Sequence, residues 1–296
     1  MNPTVKKALK TGGWSLGGVL GLLMVFVALL AFPGFMFAHQ LAYRNLTVYA
    51  DQDLRGGMEP ILARVAAQVA ASEINAPGLE HDIYFGHDNA PFRALQRARL
   101  GVVHALFPHI SPAAPNYNAS WPPFVSQVVS LDVPDPARDL LRREAWPGRL
   151  NMTHILTHEV AHSLVMQRLG PAVAARLPFW KQEGYAEYVA STSLRATPGY
   201  SLRAGVAKVL ATDLAPLRGA SGGLRPPGYD WVGKSYLVDE NGDQWHTGYY
   251  LARLMVEYTL DVQHKNFAQL ADSSTGDVDV LVQLLADYHS GKLPAQ

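Results

Sequence analysis

From Trp14 to Ala38 the chain carries no charged residue, and this one stretch divides the sequence into parts that must fold in different surroundings. At about 1.5 Å per helical residue it is long enough to cross a hydrocarbon core of roughly 30 Å. Lys6, Lys7 and Lys10 precede it, and Arg44 is the first basic residue after it. That imbalance puts the N-terminus in the cytoplasm and the bulk of the chain outside. The apolar run exceeds a signal-peptide core, and Met36-Phe37-Ala38 is a poor small-x-small cleavage site, so it reads as an uncleaved anchor rather than a removed leader. Pro33-Gly34 marks a kink or the end of the helix. The expected organisation is a cytoplasmic tail over 1–13, a transmembrane anchor over 14–38 and one extracytoplasmic domain, periplasmic or extracellular, over 39–296.

That last part must supply its own core. With 48% hydrophobic residues in 296, it has the material for one large domain. The 25 basic and 25 acidic residues balance and form no basic stripe, which argues against a nucleic-acid partner. Cysteine is absent, so disulfides and thiolate metal sites are excluded, and any metal must be held by His, Asp or Glu.

Residues 39–150 read as an α/β half. Leu46–Ala50, Asp82–Gly86 and Val125–Asp132 are rich in β-formers and read as strands. Between the first two, Ile61, Leu62, Val65, Ala66 and Val69 recur at helical spacing within Glu59–Glu73, with Pro60 suited to a first turn. Asn89 and Pro91 open another helix, and Pro108–Phe124 reads as a Pro- and Asn-rich loop, a candidate wall for a substrate cleft. Residues 151–296 read as a helical half. A helix is expected from Asn151, with Asn and Thr at its start as capping residues, to Leu169, where Gly170-Pro171 stops it. Further helices are expected over 172–177, 179–194, 248–260 and 278–288, with a long surface loop over 215–235.

The first helix of the second half carries His158-Glu159-Val160-Ala161-His162. Residues i and i+4 share a helix face, so both imidazoles can reach one ion while Leu156, Val160 and Leu164 face the core. Zinc takes nitrogen and carboxylate donors in a tetrahedron, and two histidines, one carboxylate and one water make a hydrolytic site. Glu159 follows the first histidine and can lean over the open side of such a site.

Thr157–His162, followed by Phe179-Trp180-Lys181-Gln182-Glu183-Gly184-Tyr185-Ala186-Glu187-Tyr188, resembles the gluzincin zinc metallopeptidases, in particular the peptidase MA-like group. The resemblance is strong over these two segments and weak over residues 40–150, where it rests on the order of strands and helices. It implies an α+β, zincin-like metallopeptidase fold with a small N-terminal sheet and a helical C-terminal half, preceded here by one transmembrane helix. It implies Zn²⁺ held by His158, His162 and Glu183, with Glu159 activating the zinc-bound water that hydrolyses a peptide or protein substrate. Glu187, one turn after Glu183, falls where relatives carry an acidic residue that orients a liganding histidine. Where aminopeptidase relatives place a tyrosine to stabilise the oxyanion, this chain has Trp245, which leaves His246, Tyr249 and Tyr250 as candidates. Two alternatives stand beside the peptidase reading. One is a membrane-tethered peptide-binding or assembly protein on the same scaffold without peptidase activity; the other is a zinc hydrolase of a non-peptide amide. Asp239–Asp243 reads as a turn rather than a calcium loop, because the twelfth position is Tyr250 rather than Glu.

Overall fold

The computed structural model describes residues 18–29, 32–106, 119–120, 128–131, 142, 144, 151–212, 225–228, 235–238, 244–272 and 276–294. Residues 1–13, Asp239–Asp243 and most of the expected 215–235 loop lie outside them.

Of the expected anchor, 18–29 form a helix (α1) and Pro33–Met36 a single 3₁₀ turn. Among the described residues no helix is long and apolar enough to cross a membrane. The residues flanking α1, 14–17 and 30–31, lie outside the described residues. The side chains of α1 are nonetheless apolar and exposed on all sides, Val19, Leu22, Leu23 and Met24 among them.

The α+β expectation holds. Strands β1 (His39–Tyr43), β2 (Leu46–Ala50), β3 (His81–Phe85), β4 (Ala119–Ser120) and β5 (Val128–Leu131) form one sheet in the order β1-β2-β3-β5-β4. The three inner strands are parallel and both edge strands are antiparallel to their neighbours. Helices α2 (Arg55–Ala70) and α3 (Ala90–Leu106) follow β2 and β3. Strand alternation sends Leu46, Val48, Ala50, Ile83 and Phe85 to one face, where they meet Met58, Ile61, Leu62 and Val65 of α2. Each such buried aliphatic side chain contributes about 1.5–3 kcal/mol.

One strand in this half was not expected, and two expectations are corrected. β1 pairs with β2 through a two-residue turn in which Arg44 takes φ 54°, so the residues just after the apolar stretch are sheet. α2 begins at Arg55, which puts Pro60 inside the helix instead of in its first turn. Pro60 and Gly56 both face solvent, so the carbonyl left without its helical donor reaches water. Within the expected loop 108–124, Ala119 and Ser120 are a strand, since β5 offers them a free edge; the rest of that segment lies outside the described residues.

In the second half, α4 (Met152–Leu169) lies beside β3, β4 and β5 on one side and packs on α2 and α5 (Phe179–Ala190). α5 in turn packs on α7 (Thr247–Glu257), which also meets α6 (Leu202–Leu210) and α9 (Asp277–His289). A short helix α8 (Phe267–Ala271) is closed by a reciprocal Asn266–Gln269 capping box. The hairpin β6 (Tyr236–Val238) and β7 (Gln244–His246) leads into α7. This hairpin interrupts a half expected to be helices and loops, and α6 is a helix beyond those expected there. The expected helix over 179–194 breaks at Ser191 and resumes as one turn, Thr192–Arg195. α7 runs on as a π-helical turn, Tyr258–Val262, where the Thr259 hydroxyl bonds the Met255 carbonyl at 2.8 Å and competes with the α-helical donor.

Candidate metal centre

α4 is buried on every side, which fixes its rotation as well as its position. Asn151 caps it, accepting the His154 N–H at 2.7 Å, and Gly170, at φ 76°, ends it. Glu144 accepts the Thr153 N–H at 2.9 Å and the Thr153 hydroxyl at 2.7 Å, and pairs with Arg64 of α2 at 2.6 Å. Near the other end, Ser163 meets Nδ1 of the buried His81 at 3.0 Å, and Gln167 donates to the Glu80 carbonyl at 2.7 Å. Both ends of the helix are thus tied to the α/β half.

α5 approaches α7 without room for a side chain at one point. A Cβ on Gly184 would lie 2.4 Å from the carbonyl oxygen of Ala252. The glycine after Glu183 therefore has a packing reason: it lets α7 press α5 against α4 and brings the carboxylate to the histidines.

His158 Nε2 and His162 Nε2 are 3.1 Å apart. Glu183 Oε2 lies 3.2 Å from the first and 3.3 Å from the second. The three side chains are buried and form a group that can hold a metal ion. Their spacing fits one: donors about 2.0–2.1 Å from a tetrahedral zinc stand about 3.3 Å from each other. The three residues expected to meet do meet.

Glu187 stands behind this triangle. Its Oε1 is 3.4 Å from His158 Nδ1, the ring atom pointing away from the triangle, and its Oε2 is 2.8 Å from His154 Nε2. The first contact is the expected one. The second brings in His154, which the sequence reading passed over although 154, 158 and 162 fall on one helix face at successive four-residue steps. Trp245 packs edge-on against the His154 ring at 6.0 Å. The residue that replaces the expected tyrosine is thus a buried wall for this histidine.

The charges reinforce one another. Burial works against protonation of His158, but the Glu187 charge and the contacts to Glu183 and Glu187 outweigh it and pull its pKa up to about 10. Burial would raise Glu183 and Glu187, yet the facing imidazoles hold both carboxyls below the usual range. Glu159 goes the other way: buried and near both other carboxylates, its pKa is raised against the pull of His158 and His162. The pocket therefore favours positive charge at the triangle and leaves Glu159 as the carboxyl most ready to take a proton.

The three remaining candidates separate. Tyr249 places its ring 6.4 Å from His158 and 5.2 Å from Phe179. His246 lies farther along, 6.1 Å from the Tyr249 ring and 4.6 Å from Tyr236. Tyr250 points into the core between Trp245 and the buried Arg253 guanidinium, with its hydroxyl beside Gly205.

Comparison with family models, with curated proteins and with solved structures finds no match to this chain.

Proposed function

We propose that the chain is a zinc metallopeptidase on a zincin-like scaffold, tethered to a membrane by its N-terminal apolar segment with the domain outside the cytoplasm. The observation that carries the reading is the triangle of donor atoms from His158, His162 and Glu183, with edges of 3.1 to 3.3 Å. When bound, zinc polarises a carbonyl and acidifies water. Glu159 accepts the proton of the attacking water and delivers it to the leaving amine, a role its raised pKa suits. Glu187 holds His158 by its far nitrogen, and His154 holds Glu187. Tyr249, the candidate beside His158, steadies the substrate carbonyl. An extended peptide lies along β4, an edge strand next to α4, and pairs with it through backbone hydrogen bonds. The tether is supported by the exposed apolar surface of α1.

The test is cleavage of an unfolded protein by the purified full chain. Hydrolysis should be abolished by a chelator, restored by zinc, and reduced about 10²–10⁴-fold in Glu159→Gln with metal content unchanged. Metal retained with full turnover in that variant removes Glu159 as the base. Metal bound with no cleavage of any substrate favours the peptide-binding alternative.

A further inference from the structure

On the face of the sheet turned away from α4, Phe37, Tyr49, Tyr84 and Phe92 form a second apolar cluster. Tyr49 and Tyr84 are register partners and their rings stack at 4.7 Å. The 3₁₀ turn that follows α1 is seated on this cluster. A Cβ at Gly34 would lie 2.6 Å from Tyr49 Cε1, and the Met36 carbonyl accepts from Asn89 Nδ2 at 2.8 Å. Phe37 adds ring contacts at 5.4 Å to Tyr84 and 5.0 Å to Phe92. The domain is therefore joined to the apolar segment by a packed seat.

Between this turn and the sheet lies a cavity of about 570 Å³, in the range of small-ligand sites. Phe35, Phe37, Tyr49 and Tyr84 wall it, and Asp82, His39 and Gln40 supply polar atoms. Asp82 is half-buried, and the Tyr84 hydroxyl donates to it across 3.5 Å. Burial and the nearby Glu80 carboxylate push its pKa up to about 6, against the Tyr84 hydrogen bond. Phe32 and Phe35, 66% and 70% exposed, form the rim and continue the apolar surface of α1.

We propose that this cavity binds the headgroup of a membrane phospholipid bearing a primary ammonium, of the phosphatidylethanolamine type. The ammonium pairs with Asp82 against the aromatic walls, where ring faces attract cations. His39 and Gln40 serve the phosphate, and the acyl chains leave past Phe32 and Phe35 along α1. The charge of Asp82 and Glu80 selects a cation, and the exposed phenylalanine rim selects a lipid over a free amine. The assignment rests on the membrane-tether reading given above.

The experiment uses the full chain in mild detergent with equimolar phosphatidylethanolamine and phosphatidylglycerol, and counts retained lipids by native mass spectrometry. The wild type should prefer the ethanolamine lipid about tenfold, the order of one charge-assisted contact. Asp82→Asn should lose that preference while its melting temperature and metal content stay unchanged, and Phe35→Ser should lower retention of both lipids. Equal retention of the two lipids by the wild type, or an undiminished preference in Asp82→Asn, overturns the proposal. Displacement of the lipid by equimolar soluble phosphoethanolamine also overturns it, in favour of a free amine. Membrane fractionation separates this failure from that of the tether: a chain recovered in the soluble fraction sinks the tether, whereas a membrane-bound chain without headgroup preference sinks only the cavity assignment.

Discussion

Both halves of the domain bury apolar side chains, but only the helical half buries a large set of charged ones with them. Around the sheet, burial follows apolar alternation: Leu46, Val48 and Ala50 turn inward, and α2 meets them with a stripe of aliphatic residues. In α4, α5 and α7 the interior also takes Glu159, His162, Lys181, Glu183, Glu187, Arg253 and Glu257. An ionised group in such surroundings costs several kcal/mol unless it is paired. The helical half therefore gives up stability to hold a fixed set of charges, and its own apolar residues, together with those of the sheet half, supply the packing that keeps that set in place. Glu144, Ser163 and Gln167 are the joints between them.

If this contrast is right, the largest effect belongs to the charge set: Glu159→Gln should lose most turnover, as stated above, without loss of fold by circular dichroism. Next comes His81, the buried titratable group at the joint, whose pKa burial lowers to about 4. A histidine held neutral in the fold and free to charge when unfolded stabilises fully above its ordinary pKa of about 6.5 and loses that contribution as pH falls toward 4. The total is roughly 3 kcal/mol. Urea unfolding between pH 7 and 4.5 should therefore show a shallower loss in His81→Leu than in wild type; identical slopes would detach His81 from the acid response.

Gly184→Ala tests the packing that serves the charges. Its new Cβ meets backbone atoms of α7, which cannot rotate aside, so a loss of about 1–3 kcal/mol is expected, together with weaker metal retention. Lost stability with unchanged metal affinity would separate the α5–α7 contact from the site. The smallest effect is reserved for His154→Phe, which removes the outer hold on Glu187. Metal affinity should fall about 10–100-fold by chelator competition, with a lowered melting temperature because the buried Glu187 loses its closer partner.

How much of this could be read from the chain follows the same division. β2, β3 and β5 announce themselves by β-former content, and α4 by its cap, its stop and its spacing. The triangle was legible because i, i+4 geometry is local and because the Glu183 segment carries a family likeness. β1 was not legible: it follows directly on an apolar run, and in its Arg44-Asn45 turn the left-handed backbone falls on Arg44 rather than on the asparagine beside it, where the sequence would signal it. α6 and the β6–β7 hairpin are short and draw their stability from α7. His154 was overlooked because its role depends on Glu187, thirty-three residues away, and on the wall Trp245 makes. That Tyr249 rather than Tyr250 faces His158 depends on the direction in which α7 presents two neighbouring rings, beside the close contacts at Gly184 and Gly205.

The most direct test of the central claim is the metal content of the purified full chain, wild type and Glu183→Ala, by elemental analysis. The wild-type chain should carry about one zinc ion. The variant should lose that ion and retain its helical content. A folded wild-type chain that takes up no metal from a zinc-containing buffer, or a Glu183→Ala chain that keeps it as tightly, contradicts that claim.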